Sequence, residues 1–172
     1  MEGRFQIYCG EGKGKTTAAL GLCLRAAGAG LHIYFGQFLK PPESAEVRIL
    51  RDRFADRICY EAYGPFHFIR QSPTDHDRTM ARNGFIRLRA ALLSGRYEVV
   101  VGDEALTAVS AGLLLERDLV HLAEERPAGV ELVLTGRQAG AALIERADLV
   151  TEMRVVKHYF DRGTPARPGI EY

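Results

Sequence analysis

Along the chain, short apolar runs alternate with longer stretches whose apolar residues recur every three or four positions. Residues 5–9 (FQIYC) form the first apolar run, and residues 15–29, rich in Ala and Leu, read as a helix stopped by Gly28 and Gly30. Residues 31–38 follow as a second strand, 45–54 as a helix and 57–62 as a short strand. A longer amphipathic helix covers 75–94, where Ser94-Gly95 ends it, and residues 97–102 (YEVVVG) are a buried strand. The remainder reads as a helix over 113–125, a strand over 130–135, a helix over 139–147 and a last strand over 149–156. Strand and helix in alternation predict an α/β fold, a mostly parallel sheet with helices on both faces. Ligands of such sheets sit at the carboxyl ends of the strands. The long loops are expected around Lys40-Pro41-Pro42 and over 64–74, and the tail from Arg162 to Tyr172 carries no periodicity.

Composition narrows the classes. At 172 residues the chain is expected to be a single domain over 1–172, and folding at that size buries roughly 70% of the unfolded surface. Hydrophobic residues make up 47% and charged residues 26%, an ordinary globular balance. With 23 basic against 22 acidic groups the net charge is +1, so the broad basic field of a nucleic-acid binder is absent. The three cysteines, Cys9, Cys23 and Cys59, are odd in number and form no C-x-x-C pair, which points to a reduced interior. No run of 18 apolar residues occurs and the first strand starts almost at Met1, so neither a membrane span nor a signal peptide is expected. A soluble, cytoplasmic protein is the expectation.

The chemistry enters at GEGKGKTT, residues 10–17, between the first strand and the first helix. Gly14-Lys15-Thr16 has the form of a phosphate-binding loop, in which backbone N–H groups wrap phosphates, a lysine neutralises them and a threonine hydroxyl reaches magnesium. Its spacing is short by one residue, because Cys9 stands where the usual pattern has glycine. The stretch also fails as a dinucleotide fingerprint, which would require glycine at Lys15. The competing reading is a flexible strand-to-helix turn; the lysine and hydroxyl at a helix start favour phosphate.

A carboxylate on a neighbouring strand is expected opposite such a loop. Asp103 and Glu104 follow three valines in YEVVVGDEA and so emerge at a strand's carboxyl end, where they can hold a metal ion directly or through water. An acidic helix start is the plainer alternative. Arg137, after VLTG, stands at another strand end and can meet phosphate or be surface charge.

Four stretches carry a resemblance along nearly the whole chain: GEGKGKTTAALG at 10–21, QFLK at 37–40, VLTGR at 133–137, and ADLVTEMRVVKHYFDRGTPARPGIEY at 147–172. Together they resemble the corrinoid adenosyltransferases, the ATP:cob(I)alamin family, in which the shortened loop is itself typical. The resemblance implies a RecA-like P-loop fold, a homodimer, and transfer of the 5′-deoxyadenosyl group of ATP to cobalt with release of triphosphate. Magnesium accompanies ATP, and a flavoprotein reductase supplies the electron that makes the corrinoid nucleophilic. No nucleic acid or membrane partner is implied.

By the same resemblance, Lys13 and Lys15 with the amides of Gly10, Glu11, Gly12, Gly14 and Thr17 gather the charge of the departing triphosphate. Thr16, Asp103 and Glu104 are the metal contacts, Thr16 and Glu104 foremost. Lys15, Lys13 and Glu104 are the expected catalytic residues. Cob(I)alamin is a strong nucleophile, so positioning and charge stabilisation carry such a reaction. ATP is expected to lie reversed relative to other P-loop enzymes, its 5′ carbon facing the corrinoid.

The corrinoid side departs from the family. Its Phe-x-Trp segment has no direct counterpart in a chain without tryptophan; Phe66 and Phe68 in Phe66-His67-Phe68 stand nearest. They are expected to exclude water from the lower face of cobalt, or else to anchor a loop in the core. Leu106 replaces the family's Asn or Thr after the acidic pair, and the N-terminal extension that covers the site in longer members is not expected here. His158 beside Lys157 and Asp161 reads as structural for want of a second histidine at ligand spacing. Arg25 can serve the site or a helix salt bridge. Arg78, Arg82, Arg87 and Arg89 read as a solvated helix face. A P-loop small-molecule kinase, releasing ADP, and a RecA-like ATPase motor are the readings from other classes.

Overall fold

The computed structural model describes residues 2–39, 44–64 and 73–171. Among them, six strands form one sheet: β1 (Phe5–Cys9), β2 (Ile33–Gln37), β3 (Ile58–Ala62), β4 (Val99–Asp103), β5 (Glu131–Thr135) and β6 (Leu149–Glu152). Their spatial order is β3-β2-β4-β5-β1-β6, and every neighbouring pair runs parallel. Helices α1 (Lys15–Gly28), α2 (Ala45–Arg53), α3 (Asp75–Leu93), α4 (Ala105–Ser110), α5 (Glu116–Glu124) and α6 (Ala141–Arg146) cover it. This is the α/β architecture that the alternation predicts, with every carboxyl end on one edge.

The unbroken apolar run in β4 has a packing cause, since both faces of the sheet are covered. Ile33, Phe35, Val99, Val101 and Val133 pack against Ala19, Cys23 and Ala26 of α1 and Leu50 of α2. Tyr34, Val100, Leu132 and Leu134 alternate with them and face Ala81, Leu88 and Leu92 of α3, Leu119 and Leu122 of α5 and Leu143 of α6. Small residues on α1 let it lie close to the strands whose ends build the site. Thr74 caps α3 reciprocally: its side chain accepts the Asp77 N–H at 3.2 Å, and Asp77 Oδ2 accepts the Thr74 N–H at 2.9 Å. No helix among the described residues is long and apolar enough to cross a membrane.

Three elements depart from the sequence-based reading. The stretch read as a helix over 113–125 is helical only from Glu116, and a separate short helix, α4, precedes it. Ala105–Ser110 starts directly after β4, without the polar cap and loop that would announce it. The last strand ends at Glu152 instead of residue 156, because Met153 turns beneath the glycine loop: its N–H donates to Cys9 O at 2.8 Å and its carbonyl accepts from Gly12 N at 2.7 Å. The tail begins with a 3-10 turn at Tyr159–Arg162. Lys40-Pro41-Pro42 and most of the 64–74 loop lie outside the described residues.

Gly84 of α3 is fixed by contact. A Cβ there would stand 2.3 Å from the Tyr63 ring, which also lies against Gly36 of β2 and closes the gap between helix and sheet. Alanine is the better helix former by about 1 kcal/mol, whereas forcing a methyl into a packed core costs about 1–3 kcal/mol. Packing is the larger effect. Gly84→Ala is expected to lower stability by up to about 2 kcal/mol net of these opposing effects, measured as a reduced midpoint in urea at unchanged slope; a gain in stability would mean that the ring moves aside freely.

Candidate nucleotide site

β1 delivers the chain into the glycine loop at the sheet's carboxyl edge. Gly10 (φ 105°) and Gly14 (φ 122°) take left-handed backbone conformations that side chains disfavour. At Gly10 and Gly12 a Cβ would stand 2.4 and 2.5 Å from the Met153 carbonyl. The loop is therefore pressed onto the backbone that leaves β6, and glycine is required by contact as well as conformation. Lys15 opens α1 and folds back over this loop, donating to Gly10 O at 2.7 Å and Gly12 O at 2.8 Å.

Opposite the loop, Asp103 ends β4 fully buried. Thr16 Oγ1 of α1 lies 3.0 and 3.1 Å from its two carboxylate oxygens. Gln37 Nε2, at the end of β2, donates to Oδ2 at 2.9 Å, and Thr135 Oγ1, at the end of β5, donates to Oδ1 at 2.7 Å. Tyr60 supports Gln37 by donating its hydroxyl to Oε1 at 2.8 Å. Burial holds that phenol well above its ordinary pKa, so it stays a donor.

Glu104, the next residue, adopts φ 59°, a strained conformation for a glutamate. Its N–H donates to Thr135 Oγ1 at 2.9 Å and its carboxylate accepts from Thr107 Oγ1 at 2.5 Å. Thr107 Oγ1 also accepts the Arg137 N–H at 3.2 Å. The turn thus redirects the Glu104 side chain out of the sheet and into a cavity of about 420 Å³. That cavity runs from the loop (Lys13 to Thr17) past Leu20 to Ala45 and Glu46 at the start of α2, and its far wall is the tail at Gly169, Ile170 and Glu171.

Most residues expected from sequence therefore meet at one edge: the 10–17 loop, Asp103, Glu104 and Arg137. Arg137 joins through its backbone, whose carbonyl accepts the Gly10 N–H at 2.7 Å, while its exposed guanidinium pairs with Glu11 at 3.1 Å. Phe66 and Phe68 lie outside the described residues. Sequence reasoning missed Gln37, Thr135 and Thr107 as site residues. The first two carried a readable signal, a polar residue closing an apolar run at the end of IYFGQ and of ELVLT.

Other candidates settle into structural roles. His158 Nδ1 accepts the Phe160 N–H at 3.0 Å and caps the 3-10 turn. Arg87 and Arg89 pair with Glu61 and Glu125 at the surface. Among the described residues no group of three or more His, Cys, Asp or Glu side chains could hold a metal by itself. What the edge offers is a hydroxyl and carboxylates, hard oxygens suited to a magnesium ion that draws its remaining ligands from phosphate and water. Burial pushes the Cys23 thiol up to about 12 and raises Cys9 as well, so neither is a ready thiolate.

A parallel sheet with a glycine loop running into a Lys-Thr helix start, faced by a strand-end carboxylate, defines a P-loop protein. The family profile described as ATP:corrinoid adenosyltransferase BtuR/CobO/CobP matches residues 1–172. A corrinoid adenosyltransferase of Pseudomonas aeruginosa is 34% identical over 167 residues, covering 96% of this chain and 82% of its own length. Those of Escherichia coli K12 and Salmonella typhimurium are each 32% identical, over 96% of this chain and 84% of theirs. The chain belongs to the ATP:corrinoid adenosyltransferase family. It transfers the adenosyl group of ATP to a corrinoid.

Thr135 carries two buried bonds in this network, one to Asp103 and one from the strained Glu104 turn. Thr135→Val keeps the shape and removes both, taking one of several donors from Asp103 and the acceptor from the Glu104 N–H, at a cost of about 1–3 kcal/mol. Urea unfolding is expected to read that loss. A variant as stable as the parent would mean that water replaces the hydroxyl.

Proposed function

We propose that the glycine loop holds the triphosphate of ATP as a leaving group, so that the corrinoid cobalt can attack the ribose 5′ carbon. The observation that supports this most directly is the Thr16–Asp103 pair at 3.0 Å beside the loop and its lysines. In the reaction the electron pair of cob(I)alamin forms the cobalt–carbon bond. The bond between C5′ and the α-phosphate oxygen breaks, and triphosphate departs with those electrons. No enzyme nucleophile is needed, in keeping with the protonated, buried thiols at Cys9 and Cys23.

On this reading Lys15, Lys13 and the loop amides stabilise the charge that grows on triphosphate. Lys15 Nζ exchanges its carbonyl partners for phosphate oxygens. Thr16, Asp103 and Glu104 would hold magnesium, which supplies further neutralisation of the leaving group. Arg137 borders the loop and adds positive potential. Phe66 and Phe68 are assigned to the lower face of the corrinoid, where they would keep water from cobalt before a reductase delivers its electron. The three unbridged cysteines fit a cytoplasmic site of action. A homodimer belongs to the same reading: β6 is an edge strand, and Leu149, Val150, Val156 and Phe160 on or beyond it are exposed apolar residues.

The test mixes protein, ATP, magnesium and chemically reduced cobalamin. The expected products are a light-sensitive cobalt–carbon species and inorganic triphosphate in equal amounts; ADP as product would replace this reading with phosphoryl transfer. Lys15→Ala is expected to weaken ATP binding by roughly 10- to 100-fold, the loss of a charged hydrogen bond worth about 1.5–3 kcal/mol. Glu104→Gln should raise the magnesium concentration needed for half-maximal rate. Normal turnover of that variant at limiting magnesium would leave Glu104 a structural turn residue.

A further inference from the structure

The far wall of the cavity raises a question of charge, because a carboxylate stands where an anion is to bind. The tail turns back at residues 167–171, with the Ile170 and Glu171 N–H groups donating to Arg167 O at 3.2 and 3.0 Å. Glu171 Oε2 accepts from Arg167 N at 2.7 Å and Nε at 3.3 Å. Its Oε1 accepts from Arg167 Nη2 at 3.2 Å, from the Tyr159 hydroxyl, and from Lys13 Nζ of the glycine loop at 2.8 Å. Lys13 Nζ also donates to the Tyr159 oxygen at 2.9 Å. The Tyr159 ring carries both cations, with Lys13 at 5.6 Å and Arg167 at 5.0 Å from its centroid.

We propose that Glu171 is a positioning residue for ATP: it clasps Lys13 of the loop and Arg167 of the tail, making residues 159–171 the outer wall of the nucleotide site. This rests on the reading of the loop as the triphosphate cradle. The charge count favours positioning over blockade, since two cations and one carboxylate leave a net positive cluster beside the cavity. Two cations so near one another would otherwise repel and swing into solvent, and the carboxylate between them removes that repulsion. An ammonium has three N–H groups. Glu171 and Tyr159 take two, so the third can reach a phosphate oxygen with the clasp intact. Arg167, then Lys13 and Tyr159, hold the Glu171 carboxyl far below the ordinary carboxylate range, so it remains ionised throughout the working pH range.

The test is equilibrium binding of ATP to the full chain by calorimetry, beside KM and kcat with reduced cobalamin. Glu171→Gln is expected to weaken ATP binding roughly 3- to 10-fold, as a charged hydrogen bond is replaced by a neutral one, and to raise KM with little change in kcat at saturating ATP. In a Lys13→Ala background the same substitution is expected to cost clearly less than it does alone, because part of what Glu171 does runs through Lys13. Unchanged affinity in the single variant, or a full additional loss in the double variant, overturns the clasp. Tighter ATP binding also overturns it, and makes Glu171 a competitor of triphosphate. Should Glu171→Gln fail to fold, Tyr159→Phe keeps the ring and removes only the hydroxyl; its affinity is expected to fall, and wild-type affinity refutes the proposal. Failure of the unaltered chain to bind ATP would refute the nucleotide site itself, a different result from any of these.

Discussion

A buried carboxylate is the constraint on which this site is built. Asp103 sits at the end of the central strand β4 with no exposure, and a polar group so placed is tolerated only if its oxygens are hydrogen-bonded. Gln37, Thr135 and Thr16 supply those bonds from β2, β5 and α1. Satisfying one side chain therefore ties together three adjacent strand ends and the helix that begins with Lys15. A slip of one residue in any of these strands would send its polar end to the wrong face. The register of the sheet and the geometry of the site are one requirement.

The strained turn at Glu104 follows from this. Asp103 points inward to Gln37, Thr135 and Thr16, so the chain has to reverse at once for the next carboxylate to face the cavity. A left-handed residue accomplishes the reversal, and Thr135 anchors it by accepting the Glu104 N–H while donating to Asp103. Strain at one residue is held by hydrogen bonds that exist for another reason.

Much of this was legible in the sequence, and the limits have physical causes. The strands declared themselves as apolar runs because both faces of a parallel sheet are covered, and the loop declared itself because alternating glycines before a Lys-Thr helix start form a recognisable pattern. Gln37 and Thr135 escaped because a polar strand end has meaning only beside its neighbours, and nothing local says that β2 and β5 flank β4. The helix α4 was legible only as the alternative reading of Asp103-Glu104, an acidic helix start, because it begins on a strained residue without a side-chain cap. Glu171 escaped for a similar reason: 158 residues separate it from Lys13, and tail motifs carry no periodicity from which to infer a return to the loop.

The two walls of the cavity differ in how they are held, and the difference suits the reaction. The inner wall, made of Asp103, Thr16 and the glycine loop, is locked by buried bonds and by the contact of Gly10 and Gly12 with Met153. Groups that must meet developing charge without reorganising belong on such a wall. The outer wall, the tail at Arg167 and Glu171, lies near solvent and meets the loop through ion pairs to the exposed Lys13 side chain, which are weak and screened. ATP must enter and triphosphate must leave on each turnover, so one wall has to yield. A site sealed by buried bonds on both sides would hold its product. On the proposed reading of the loop as the triphosphate cradle, the side held by buried bonds would face the developing charge and the side held by exposed ion pairs would let the nucleotide pass.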